Sequence, residues 1–157
     1  MNIFVVDTNP VAAAQALCDK HVVKMILESA QMMSTIIGGP YKPTHANHPC
    51  TIWARKRTNF EWLSKHALAL CHEYTLRYGK FHKCQAIIEE LSVKSIQLPI
   101  GCSGFVQCMP DCFKHEDPVF AYRRYYNSKG FAVWKDGGEP WWWQHPDFIV
   151  KCEAVAA

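Results

Sequence analysis

The chain has 157 residues, a net charge of +3, 49% apolar and 20% charged residues. That length fits one domain able to bury roughly two-thirds of its unfolded surface. The composition excludes a disordered chain, and the mild positive charge permits an anionic partner without demanding one. No apolar run reaches the ~18 residues of a membrane span, and Met1–Val6 is too short for a secretory leader. A soluble, cytoplasmic chain is expected, with its eight cysteines reduced and acting as small core hydrophobes.

Ile3-Phe4-Val5-Val6 reads as one short buried strand or an extended entry. Asn9-Pro10 starts a helix, with asparagine as cap and proline at the first helical position. The helical pattern continues to Ile37, with a break near Cys18-Asp19, and Gly38-Gly39-Pro40 ends it. A loop over 41–48 carries His45, Asn47 and His48, and Pro49 opens a second helical stretch. Within it Trp53, Phe60, Leu63, Ala67, Leu70, Tyr74 and Tyr78 recur at helical spacing as a buried face, and Gly79 is the stop. His82–Ser92 reads as a shorter helix, and 98–115 as a long ordered loop rich in Gly, Pro and Cys. Asp117-Pro118 caps a last helix to about Lys129, and the tail carries Trp134 and Trp141–Trp143. The expected fold class is mainly α: a compact helical bundle with a short N-terminal strand or extended segment and a long irregular loop.

Four groups of polar residues carry possible chemistry. On the helix around 19–37, His21, Lys24, Glu28, Gln31 and Thr35 form one stripe opposite Val22, Met25, Ile26, Met32, Met33 and Ile36. A solvated face with a Lys24–Glu28 pair would look the same. An imidazole, an ammonium, a carboxylate and an amide on one line also supply donors, acceptors and an acid/base group. On the next long helix Arg55, Asn59, Trp62, His66, Glu73 and Arg77 recur at steps of three or four; Trp62 is either a packing contact or a stacking platform for a base. The helix start at His48-Pro49, with His45 and Asn47 beside it, offers backbone N–H groups to a phosphate. Tyr122, Arg123, Tyr126 and Lys129 interleave aromatic rings with cations, which suits stacking and phosphate pairing as well as ordinary inward packing.

Other chemistries fit poorly. Cys102, Cys108, Cys112 and His115 lack a common zinc spacing, and there is neither a P-loop nor a Gly-x-Gly-x-x-Gly. No metal and no cofactor are expected.

The opening Met1-Asn2-Ile3-Phe4, the run Cys18–Met25, His45-x-Asn47-His48-Pro49, Tyr74-x-x-Arg77-Tyr78-Gly79-Lys80 and Ala121-Tyr122-Arg123 resemble a group of small tailed-phage proteins. That likeness covers nearly the whole chain and names no activity. A second, fainter resemblance is to pyrimidine-dimer DNA glycosylases of the endonuclease V type. Their Asp-x-His, followed seven residues later by glutamate, is matched by Asp19-Lys20-His21 and Glu28. Asn47-His48-Pro49 and Arg77-Tyr78-Gly79 are similar to further turns of that family.

This second resemblance implies a small all-helical fold and a catalytic role for Glu28. It also implies attack by the α-amine of a residue, normally threonine, exposed by loss of the initiator methionine. Here that residue is Asn2, before which methionine is poorly removed, and the lead-in to the Asp-His pair is several residues longer. The residues leave the nucleophile open; Glu28 without such an amine could bind a ribose hydroxyl, pair with Lys24 or activate a water.

The reading preferred from sequence is a phage-type binding protein that sequesters a small cyclic or ADP-ribose-type nucleotide signal against host defence. His21, Lys24, Gln31, Arg55, Asn59, Arg77 and Arg123 would hold phosphate and ribose, and Trp62, Tyr122 or Tyr126 would stack on the base. The alternative is an enzyme on DNA or a nucleotide, cleaving an N-glycosidic or phosphodiester bond with Glu28 or His21 in acid/base roles. A third reading is a host-partner binder using its aromatic tail, and those tryptophans also leave room for a homo-oligomer.

Overall fold

The computed structural model describes residues 1–153. Its helices are α1 (Pro10–Ala16), α2 (Asp19–Ile37), α3 (Pro49–Trp53), α4 (Arg57–Tyr78), α5 (Gln85–Ser92) and α6 (Pro118–Asn127). The mainly α expectation holds. Residues 3–6 are neither a strand nor extended: the chain turns tightly at Phe4, where the Val6 N–H returns to the Phe4 carbonyl, and no strand occurs among the described residues. None of the helices described is long and apolar enough to cross a membrane.

The boundaries follow local chemistry. The Asn9 side chain accepts from the Val11 and Ala12 N–H groups, and Asp117 does the same for Val119. Gly38 closes α2 at φ +84°, a left-handed conformation that lets the N–H groups of Gly38 and Gly39 both return to the Ser34 carbonyl. The stretch opened by Pro49 is two helices: the chain turns at Ala54 and restarts at Arg57, whose N–H donates to the Pro99 carbonyl in the long loop.

Helices α2 and α4 pack together, α5 lies against both, and α1 lies along α4. Between them Val22, Ile26, Met32, Met33, Phe60, Leu63, Leu70, Ile88 and Leu91 are fully buried. Each such side chain contributes about 1.5–3 kcal/mol through removal from water. The expected apolar face of α4 is buried as far as Leu70; Tyr74 is half-buried and Tyr78 exposed, because the last turn runs past the core.

The polar stripe of α4 serves α1. His66 Nδ1 lies 3.0 Å from the Pro10 carbonyl, and Trp62 Nε1 donates to that of Thr8. Arg77 donates to the carbonyls of Gln15 and Leu17 while pairing with Asp19 at 2.9 Å and Glu73 at 3.1 Å. A seven-residue helix is too short to stand alone and leaves its last carbonyls unpaired; α4 supplies the partners. Arg77 and Trp62 are thereby occupied within the fold.

The cysteines depart from the expectation at one pair. Cys112 and Cys152 form a disulfide, joining the long loop to a tail that folds back beside α6. Cys18, Cys50, Cys71, Cys84, Cys102 and Cys108 are free thiols.

Candidate active site

The N-terminal segment doubles back on itself. The Asn2 side-chain oxygen accepts from the N–H groups of Ile3 and Phe4, and its amide nitrogen donates to the Cys108 carbonyl at 2.8 Å. Phe4 sits at φ +41°, a conformation rare for an aromatic residue and held here by its surroundings. Its ring stacks on His21 at 4.5 Å and meets Tyr126 edge-on at 5.5 Å.

This turn delivers the Met1 α-amine to Glu28. The amine nitrogen lies 3.5 Å from Glu28 Oε2, while Lys24 Nζ lies 3.4 Å from Oε1. Oε2 is buried and takes no hydrogen bond. Its buried charge is met by the amine instead. The Met1 side chain is only 2% exposed, with Thr51 Oγ1 donating to its sulfur.

Amine and carboxylate share a cavity of about 250 Å³ with Asn2, His21, Lys24, Tyr125, Lys129 and Phe131. Tyr126 accepts the Cys18 N–H on its hydroxyl oxygen, and the same hydroxyl lies within hydrogen-bond distance of His21 Nδ1, 2.8 Å away. Burial, then the charges of Lys129, Lys24 and Lys20, lowers the His21 pKa to about 4, so the ring is neutral at physiological pH. Lys129 stands 3.7 Å from the centre of the Tyr125 ring, and Lys20 stands 4.6 Å from that of Phe131. The cavity thus combines an amine, a carboxylate, a neutral imidazole and lysine cations able to meet phosphates.

Of the residues singled out from sequence, His21, Lys24, Glu28 and Lys129 line this cavity. Gln31 lies farther along α2 and is half-buried. His48 caps α3, its pKa lowered first by burial and then by the positive charges of the N-terminal amine and His45. His45 and Asn47 are exposed on the preceding loop, and Arg55 donates to the Ala46 carbonyl on the outside. Asn59 is buried and bridges the Trp53 carbonyl to Ser103. Trp62 packs among Trp53, His66 and Phe105.

On α6, Tyr122 and Tyr126 point inward and are fully buried, the Tyr122 hydroxyl donating to the Val106 carbonyl. Arg123 donates to the Val6 carbonyl and lies over Trp141, beside a second cavity of about 260 Å³. The common cavity expected between the hydrophilic edges of α2 and α4 does not form. The edge of α2 faces the N-terminal segment and α6 instead. Sequence reasoning missed Met1, Tyr125 and Phe131 as cavity residues. The one available signal for Met1 was the terminal amine that the glycosylase resemblance implies.

The family model described as pyrimidine dimer DNA glycosylase matches residues 1–86, a little over half of the chain. The chain belongs to that family. No curated protein and no solved structure matches it. The family match covers Met1, His21, Lys24 and Glu28, while Tyr125, Lys129 and Phe131 complete the cavity from beyond it. It backs the glycosylase-like reading of the sequence and gives no support to nucleotide sequestration.

Two histidines give the fold an acid limit. His66, buried against the Pro10 carbonyl, has its pKa lowered by burial to about 4, as has His21. Both folded values lie below the ordinary ~6.5, so the unfolded chain binds more protons between these values. Stability is therefore full above about pH 6.5 and falls as pH drops toward 4, with a limiting slope of about 2.7 kcal/mol per pH unit for two protons. Urea unfolding across this range should show the slope, and His66→Gln should roughly halve it. A flat profile would contradict the neutral, buried state of both rings.

Proposed function

We propose that this chain cleaves an N-glycosidic bond in DNA, with the Met1 α-amine as nucleophile and Glu28 as its carboxylate partner. The observation that carries the reading is the 3.5 Å approach of the amine to Glu28 inside the cavity. Family membership supports it and favours a damaged pyrimidine in DNA as the substrate.

The amine lone pair attacks C1′ of the deoxyribose, and the base departs with the electrons of the N-glycosidic bond. Glu28 lies beside the nitrogen, where a carboxylate stabilises positive charge on the sugar and accepts the proton that the nitrogen sheds on forming an imine. His21 would serve as a neutral hydrogen-bonding group at the cavity wall, and Lys24 and Lys129 would hold flanking phosphates. The target nucleotide must leave the helix to reach such a cavity, which is easiest at a damaged, poorly stacked base.

Imine formation gives the test. Incubation with ultraviolet-irradiated duplex DNA in the presence of borohydride should yield a covalent protein–DNA adduct, mapped by mass spectrometry to the amine of Met1. Intact mass of the free protein checks that Met1 is the first residue. Binding of DNA or of a free nucleotide with neither adduct nor released base would overturn the proposal.

A further inference from the structure

Beside the amine lies a second cluster that this chemistry does not use. His48 and Cys50 stand two residues apart at the start of α3, and Cys108 arrives from the long loop. One ring nitrogen of His48 and the two sulfurs all lie within 4.8 Å of one another, and the sulfurs are 3.3 Å apart. Cys50 is fully buried, whereas His48 and Cys108 are half-buried, so an ion could enter from the His48 side.

The cluster is held from several directions. The Cys108 N–H donates to the Tyr122 hydroxyl at 3.3 Å, and its carbonyl accepts from Asn2 at 2.8 Å. These bonds fix the loop at the point where its thiol meets Cys50. His48 Nδ1 accepts the Cys50 N–H at 3.1 Å.

We propose that His48, Cys50 and Cys108 form a three-ligand zinc site, with water in the fourth position. Two thiolates and an imidazole are a donor set that selects zinc over the hard cations. Sulfurs ~2.3 Å from a tetrahedral zinc stand about 3.8 Å apart, so closing the site needs only a small outward shift of the sulfurs. On binding, the two thiol protons pass to solvent and the thiolates take the metal. The ion clasps the long loop to α3, and through the Cys108 carbonyl it holds Asn2 and the turn that carries the amine. Zinc here is a positioning element, and its site stands whether or not the amine is a nucleophile.

The test is metal content. Protein purified under a phosphine reductant and dialysed against metal-free buffer should retain one zinc per chain. Cobalt substituted for it should show a thiolate-to-cobalt charge-transfer band in the near ultraviolet. Cys108→Ser, Cys50→Ser and His48→Gln should each weaken retention at least tenfold, and Cys102→Ser, at an exposed thiol, should leave it unchanged. Wild-type protein without stoichiometric zinc, or carrying a Cys50–Cys108 disulfide in place of it, overturns the proposal, as does full retention in Cys108→Ser. The wild-type measurement decides even if a variant fails to fold. Borohydride trapping is a separate readout, so loss of zinc binding and loss of the amine chemistry are distinguishable.

Discussion

Glu28→Gln is expected to lower single-turnover cleavage of damaged duplex DNA by about 10³-fold, the scale associated with removing one acid/base or charge-stabilising group. The substitution is nearly isosteric, so what it removes is the charge that faces the Met1 amine and Lys24. Three effects coincide at this carboxylate. The carboxylate no longer offsets positive charge on the sugar, no longer receives the proton from the amine nitrogen, and no longer pairs with Lys24 at 3.4 Å. The last is a partly solvated i,i+4 pair of small value, but the enclosed pair with the Met1 amine at 3.5 Å is lost as well, so thermal stability should fall somewhat. DNA affinity should hold or rise, because a negative charge leaves a cavity lined by lysines. Cleavage within about threefold of wild type would remove Glu28 from the chemistry.

Blocking the amine should be more severe. Enzymatic acetylation of Met1 leaves an amide nitrogen without a nucleophilic lone pair, and borohydride trapping should fall below detection. Extending the chain by two residues tests the same point by geometry. Each added residue moves the terminal nitrogen by up to about 3.5 Å. The Met1 side chain is almost wholly enclosed, so an extension must run out of the cavity or displace that side chain. Either outcome carries the amine beyond reach of Glu28, with an expected loss of at least about 10³-fold. DNA binding through Lys20, Lys24 and Lys129 should survive, which separates a missing nucleophile from a damaged protein. An extended chain that still forms the adduct at the wild-type rate would show that another amine attacks.

The helix ends were legible because their signals are local. Asn9-Pro10, Gly38, Pro49, Gly79 and Asp117-Pro118 each mark a boundary within a few residues of its place in the fold. The stripe His21–Lys24–Glu28 was legible as a unit because three- and four-residue steps put it on one face of α2. What faces it was not. Periodicity shows which side chains of a helix travel together and says nothing about the element opposite. The polar stripe of α4 thus looked like half of a ligand cavity, while His66, Trp62 and Arg77 meet α1. On α6 the same limit left inward packing and stacking both open: Tyr122 and Tyr126 take the inward face, and Tyr125 with Lys129 takes the one toward the cavity. Met1 lies on no helix and has no period to read. Cys50 and Cys108 are 58 residues apart, and only tertiary folding makes them neighbours.

The edge of the family match is not a seam in the molecule. Arg123 holds the Val6 carbonyl and Trp134 holds that of Ala16, so side chains from beyond residue 86 grip backbone at either end of α1. Tyr126 fixes the orientation of His21 from the same distant part of the sequence. The shared portion and the remainder are interleaved like the fingers of two hands. Exchange of the first 86 residues between relatives would carry over the reactive groups and leave behind the scaffold that aims them.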